Sequence, residues 1–172
     1  QAAFDKKAYS LALKASRRVV QFWPLSDYAP RAQYLVARCY EATGKAEKAF
    51  KPYQTLLEKQ PKITNFDEIL QRQYAIANQF LAGKWFKLWG YIPLYRSMER
   101  TANMYGEIVK TGPYSTVAPQ AQLDIGTAWE KKKTFGIKSP DYPAAIQAYE
   151  TAADRYHDQP KVAAEAIFRA GL

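Results

Sequence analysis

The feature that most constrains this sequence is an internal repeat with an offset of 89 residues. The segment 24–34 returns at 113–123, with proline, serine, alanine, proline, alanine and glutamine in the same register. A third and fainter copy follows 45 residues later, around Ala163. Repeats of this kind encode one supersecondary unit per copy, and each unit becomes stable by packing on its neighbours.

Each copy predicts two antiparallel helices joined by a short turn. Ser26 and Ser115 are placed to cap a helix start, and Pro30 is tolerated only within the first turn of that helix. Apolar residues then follow at helical spacing until Gly44, which can adopt the positive φ that ends a helix. A second apolar helix follows and ends at Pro61. No segment alternates with a period of two beside turn residues, so the predicted fold class is all-α.

Residues 30–61 resemble a tetratricopeptide repeat (TPR). Small, aromatic and turn residues fall at that repeat's signature spacings, at Ala37, Tyr40, Gly44, Ala49, Tyr53 and Pro61, and again at Gly126, Trp129, Ala145, Tyr149 and Ala152. The resemblance implies a right-handed α-solenoid of TPR-like hairpins. Its expected parts are the second helix of an incomplete repeat (1–24), a repeat (25–61), a divergent repeat with an aromatic insertion at 83–95 (62–113), a repeat with an insertion at 134–140 (114–157), and the first helix of a truncated repeat (158–172).

A longer junction between repeats, at 23–32 with an echo at 112–115, is similar to that of the BamD-type outer-membrane assembly lipoproteins and related periplasmic TPR proteins. This resemblance implies a non-catalytic periplasmic scaffold, associated with the outer membrane, that binds protein or peptide segments and other assembly subunits. A lipid anchor outside residues 1–172 would provide its only membrane contact. Two alternatives stay open: a cytoplasmic bacterial TPR adaptor, and a peripheral protein that binds anionic membranes through its net charge of +9.

The residues that could carry chemistry do not form a catalytic set. His157 is the only histidine and is predicted to lie in a turn. Cys39 is the only cysteine and takes an alanine-like position, which predicts a small buried side chain. No phosphate-binding glycine loop, metal-ligand spacing or Ser/His/Asp set is found. The sequence therefore predicts no enzyme, no cofactor, no metal and no nucleic-acid partner.

Two surfaces are predicted to bind a partner. The first is the concave face that the first helices of the hairpins would line, with Arg31, Tyr34, Arg38, Glu41, Tyr74, Asn78 and Leu123. The second is the insertion at 83–95, with Trp85, Phe86, Trp89 and Tyr91, because aromatic residues are favoured anchors at interfaces. The insertion has two other interpretations: a cap that buries its rings on its own chain, or a contact with the membrane interface.

Overall fold

The computed structural model describes residues 2–88, 92–95, 97–134 and 137–171. These residues are mostly helical, which confirms the all-α class. The helices are α1 (Ala2–Asp5), α2 (Tyr9–Phe22), α3 (Ala29–Ala42), α4 (Ala46–Lys59), α5 (Phe66–Leu81), α6 (Met98–Thr111), α7 (Ala118–Glu130), α8 (Tyr142–Arg155) and α9 (Pro160–Ala170). Across the described ranges, no helix is both long enough and apolar enough to cross a membrane.

The chain divides into two compact units, Gln1–Ile69 and Leu70–Leu172, and α5 begins in the first unit and continues into the second. In the first unit α1 packs on α2, α2 on α3 and α3 on α4. In the second unit α6 packs on α7, α7 on α8 and α8 on α9. From α1 to α4, and again from α6 to α9, helices that are neighbours in the sequence are therefore also neighbours in space.

The turns that follow α1, α3 and α5 share one geometry. Lys7, Gly44 and Gly83 each have a positive φ, of 59°, 70° and 101°. The N–H of each donates to the carbonyl three residues earlier, and the next N–H donates to the carbonyl five residues earlier, at 2.8 to 2.9 Å. This pattern satisfies the last carbonyls of a helix. The predicted turn at Gly44 is confirmed, and α1 is seen to end as α3 and α5 do.

The junctions between successive hairpins also recur. The residues that end α2, α4 and α6 have nearly the same backbone angles: φ −134° and ψ 58° at Trp23, φ −135° and ψ 65° at Gln60, and φ −136° and ψ 68° at Gly112. Three residues later, the N–H donates back to the carbonyl of each of these residues. The same bond forms from Gln159 to Tyr156 after α8. The repeat found in the sequence therefore corresponds to a recurring backbone hydrogen bond after α2, α4, α6 and α8.

The predicted caps at Ser26 and Ser115 are wrong. The side chain of Ser26 donates to the carbonyl of Trp23 at 2.9 Å, and that of Ser115 donates to the carbonyl of Gly112 at 2.7 Å. The helices that follow begin later, without a side-chain cap. The serines recur because each one closes the junction turn, where a short hydroxyl can reach a backbone acceptor.

Three fully buried tyrosines occupy equivalent places in the core. Tyr53 on α4, Tyr105 on α6 and Tyr149 on α8 are each 0% exposed. Tyr149 faces Gly126 on the preceding helix α7, where an added Cβ would lie 2.4 Å from the Tyr149 ring. The missing side chain at Gly126 allows α7 and α8 to approach closely enough to bury this ring.

Both predicted insertions contain antiparallel strand pairs that the sequence did not predict. Strand β1 (Phe86–Leu88) pairs with β2 (Ile92–Tyr95), with an irregularity after Phe86. Strand β3 (Lys133–Thr134) pairs with β4 (Ile137–Lys138), so that Lys133 lies opposite Lys138. These strands are two to four residues long, too short for an alternating pattern to be recognised.

Candidate functional site

A row of polar side chains lies on the first helices of the first unit, among the predicted partner-binding residues. Tyr34 on α3 donates through its hydroxyl to Glu68 Oε1 at 2.7 Å, and Arg38 Nη1 donates to the same hydroxyl at 3.1 Å. Arg38 Nε also lies 3.4 Å from Glu41 Oε2, and the buried Tyr53 hydroxyl donates to that carboxylate. The structure therefore brings three predicted residues together: Tyr34, Arg38 and Glu41.

Arg38 is held from several sides. Besides its polar contacts, its guanidinium lies 5.5 Å from the ring centre of Phe4 on α1 and 5.7 Å from that of Tyr34. Cation–π contacts and a carboxylate partner hold such a group in one orientation. Arg31, by contrast, is exposed at the start of α3. Arg38 is therefore held by its neighbours, whereas Arg31 is exposed to solvent.

The second unit carries a corresponding row on α5 and α7. The Tyr74 hydroxyl donates to Asp124 Oδ2 at 2.6 Å, and Gln120 Nε2 lies 3.5 Å from Asp124 Oδ1. The Tyr105 hydroxyl donates to Asn78 Oδ1. The Tyr74 and Tyr105 rings pack at 5.7 Å with a tilt of 55°, close to the 5.9 Å and 57° of Tyr34 and Tyr53 in the first unit.

Burial changes the acidities in this second row. It raises the pKa of Asp124 above its ordinary value, although the hydrogen bonds from Tyr74 and Gln120 work in the opposite direction. Burial also raises the pKa of Tyr74, and the bond to Asp124 adds to the effect. Burial raises the pKa of Tyr105 in the same way, with the Asp124 charge as the next cause. Both phenols are therefore neutral donors at physiological pH.

The row continues onto α9. Arg169 Nη1 donates to Thr127 Oγ1 at 2.8 Å, and Arg169 Nη2 lies 2.7 Å from Glu165 Oε1. The guanidinium lies 5.8 Å from the centre of the Tyr149 ring. We call Tyr74, Asn78, Gln120, Asp124, Thr127 and Arg169 the polar row of the second unit. Side-chain hydrogen bonds thus link α5 to α7 and α7 to α9.

Two predicted partner-binding residues are corrected by the structure. Leu123 is 0% exposed, because α7 turns this side chain into the core and presents Asp124 instead. Phe86 is 2% exposed, because it stacks on Phe80 with ring centres 4.2 Å apart and lies under Arg100. Neither side chain can anchor a partner from the surface in this structure.

The other aromatic residues of the insertion have different outcomes. Trp85 is 45% exposed, so part of its ring is accessible. Trp89 and Tyr91 lie outside the described residues. The burial of Phe86 favours the interpretation of the insertion as a cap, for that residue alone. The Trp85 side chain, in contrast, is about half exposed to solvent.

Sequence reasoning missed Glu68, Asp124 and Arg169. Asp124 lies four residues after Gln120 and three before Thr127, which is the spacing of one helix face. That spacing could have identified it, had Leu123 been assigned to the core. Glu68 and Arg169 are linked to residues 34 and 42 positions away, and local spacing contains no information on such contacts.

The isolated cysteine and histidine lie where the sequence predicted. Cys39 is buried, and burial raises the pKa of its thiol, so the reactive thiolate is disfavoured. His157 is exposed in the turn after α8, with Nδ1 2.9 Å from the carbonyl oxygen of Asp154. Among the described residues no group of His, Cys, Asp and Glu side chains could hold a metal ion.

The fold and the two rows define an all-α protein in which side-chain hydrogen bonds link polar residues on α3 to α5, α5 to α7 and α7 to α9. Comparison with protein-family models found no match, and no curated protein sequence is significantly similar to the chain.

Proposed function

We propose that the chain is a right-handed, TPR-like α-solenoid that acts as a non-catalytic scaffold for binding protein segments. The observation that carries this proposal is the recurrent link between first helices: Tyr34 to Glu68, Tyr74 to Asp124 and Arg169 to Thr127, at 2.6 to 2.8 Å. Recurrent links of this kind are expected where equivalent helices of stacked repeats lie side by side.

The polar row of the second unit has the chemistry that an extended peptide needs. A peptide backbone presents N–H donors and carbonyl acceptors that must be satisfied when it leaves water. Asp124 offers acceptor oxygens, Gln120 offers both a donor and an acceptor, and Arg169 offers only donors. The Tyr74 ring adds half-buried aromatic surface beside them. We therefore assign the partner to this row.

The resemblance of the junctions to BamD-type proteins supports a periplasmic role in outer-membrane protein assembly. The partner of such a scaffold is a β-barrel protein segment before insertion, whose strands alternate apolar and polar residues over about ten positions. Protease protection of the full-length protein in intact cells, lost when the outer membrane is permeabilised, tests the location. Protection that persists until the inner membrane is broken would favour the cytoplasmic adaptor instead.

Peptide binding is tested by fluorescence anisotropy with a labelled ten-residue peptide of alternating apolar and polar residues. We expect saturable binding that the double variant Tyr74→Phe and Asp124→Asn weakens about tenfold, since each change removes a charge or hydroxyl from the row. The matched control is Tyr114→Phe with Asp154→Asn, because both residues are exposed outside the row. No binding, or equal weakening in both double variants, would refute the assignment.

One observation favours peripheral membrane binding as a second candidate. Helix α2 contains Lys14, Arg17 and Arg18 and no acidic residue, and Leu11 and Phe22 on it are 60% and 59% exposed. Basic and large apolar side chains on one exposed helix suit an anionic bilayer surface. Sedimentation with vesicles of phosphatidylglycerol at low and high salt is the test, and an absence of binding at low salt would eliminate this candidate.

A further inference from the structure

A cavity of about 400 Å³ in the second unit lies apart from the polar row. Its walls come from the end of α5, the start of α6, the end of α7 and the β3–β4 insertion, and they contain Leu81, Met98, Lys131, Lys133, Lys138 and Tyr142. The volume is within the range of about 300–1,000 Å³ that small-ligand sites occupy. The position is that of two successive hairpin turns, each of which carries an insertion.

In the part of the chain that the structure describes, three lysines at this cavity have no anionic partner. Lys131, Lys133 and Lys138 are exposed and make no side-chain hydrogen bond or ion pair with the rest of the described chain. Their neighbour Lys132 differs, since its Nζ lies 3.1 Å from Asp141 Oδ2 and 5.1 Å from the centre of the Trp129 ring. Among the described residues, the lysine outside the cavity lining is therefore paired with a carboxylate, and the three that line the cavity are not.

The strand pairing makes this group of lysines electrostatically unfavourable when no anion is bound. Lys133 and Lys138 are directly opposite each other in the β3–β4 ladder. Like charges at directly opposite positions destabilise an antiparallel pair, because their Cβ atoms are only about 5 Å apart. An anion between the two ammonium groups would convert this repulsion into attraction.

The charge and the walls of the cavity define the class of ligand. Three lysines and Glu130, which also lines the cavity, give a net charge of +2. A phosphate monoester has a charge of about −1.5 to −2 at pH 7, whereas a sulfate ester or a single carboxylate supplies only about −1. Leu81, Met98 and the exposed Tyr142 ring provide apolar surface for the group that the phosphate is attached to.

We propose that this cavity binds a phosphate monoester, with Lys131, Lys133 and Lys138 around the phosphate and Tyr142 against its apolar substituent. Lysine suits this role because its ammonium group is a point charge that can follow a phosphate on a flexible stem. The source of the monoester is either a soluble compound or the headgroup of phosphatidic acid, and both share this chemistry. The site is independent of the proposed scaffold function.

The test titrates the protein with phenyl phosphate at low salt by isothermal calorimetry, with phenyl sulfate as the comparison ligand. The cavity variant combines Lys131→Gln, Lys133→Gln and Lys138→Gln. The control variant combines Lys51→Gln, Lys62→Gln and Lys161→Gln, which removes the same charge from exposed positions outside both the cavity and helix α2. In a second arm, phosphatidylcholine vesicles with and without phosphatidic acid replace the soluble ligand.

We expect phenyl phosphate to bind more tightly than phenyl sulfate, and the cavity variant to weaken that binding at least about tenfold while the control changes it less than about threefold. Binding only to phosphatidic acid vesicles, with the same difference between the variants, supports the lipid source. Equal weakening in both variants, equal binding of the two esters, or no binding in either arm overturns the proposal. The cavity variant should unfold at the same or a higher urea concentration than the wild type, because it removes the Lys133–Lys138 repulsion.

Discussion

Substitution of Gly126 by alanine directly tests the packing of α7 against Tyr149 on α8. Gly126 lies within α7, and a Cβ at this position would meet Tyr149 Cε1 at 2.4 Å, Cζ at 2.5 Å and Cδ1 at 2.8 Å. Such distances are far below van der Waals contact, so the ring or the helix must move. The ring has little room, because Tyr149 is 0% exposed and lies under the Arg169 guanidinium.

Two effects of opposite sign determine how Gly126→Ala changes the free energy of unfolding. Alanine in place of glycine within a helix stabilises by about 1 kcal/mol, because the unfolded chain loses less backbone freedom. Forcing extra volume into a packed core costs about 1–3 kcal/mol, and the upper end applies where the neighbour cannot move. We therefore expect Gly126→Ala to destabilise the second unit by about 2 kcal/mol.

The matched control is Gly106→Ala, because Gly106 lies within α6 and, apart from its chain neighbours and its own helix backbone, no atom of the described residues lies within 4 Å of the position its Cβ would take. Only the helix effect applies there, and we expect a gain of about 0.5–1 kcal/mol. Urea unfolding followed by circular dichroism and by tyrosine and tryptophan fluorescence measures both variants. If Gly126→Ala is as stable as Gly106→Ala, the close approach of α7 to Tyr149 is refuted.

Three further predictions concern single residues. Lys7→Gly should stabilise the first unit by about 1 kcal/mol in urea unfolding, because the residue has a φ of 59°; a loss of stability would contradict the shared turn geometry. Phe86→Ala should cost about 3 kcal/mol through the lost stack on Phe80, whereas Trp85→Ala, at an exposed ring, should cost less than about 1 kcal/mol; equal costs would argue against the cap. Burial raises the pKa of Asp124, so the folded state binds a proton at higher pH than the unfolded state, and stability falls as the pH rises from the unfolded pKa through the folded one. Asp124→Asn should therefore raise the urea midpoint at pH 7, and the gain should shrink as the pH is lowered; a gain that is the same at every pH would contradict this.

The repeat was predictable because the patterns that encode it are local. Proline, glycine and small residues restrict the backbone within a few positions, and the hairpin turn at Gly44 follows from one of them. Ser26 shows where this reasoning fails, because the sequence alone does not distinguish a serine that caps a helix from a serine that closes the turn before it. The choice depends on whether the helix begins directly after the serine or, as at Ala29, three residues later, and the backbone of the whole junction determines this.

The polar rows were only partly predictable, because the sequence of a largely buried helix does not determine which of its faces is turned to solvent. Helix α7 buries Ala118, Pro119, Ala121, Gln122, Leu123, Gly126 and Ala128, so its apolar surface extends over most of its circumference. A helix of this kind has a weak amphipathic pattern, and the exposed stripe can be assigned one residue out of phase. Contacts with α8 and α9 decide in favour of Asp124 over Leu123.

The two insertions lie in the turns after α5 and α7, whereas the junctions after α2, α4 and α6 contain none. The junctions after α2, α4 and α6 repeat nearly the same backbone angles. The turn within a hairpin has only to return the chain to an adjacent antiparallel helix, and an antiparallel pair of strands does this at any length. Both insertions accordingly replace turns, after α5 and after α7, and the lysine-lined cavity lies where these two replaced turns are neighbours. Insertions at such turns can therefore create a cavity without changing the packing of the helices that they connect.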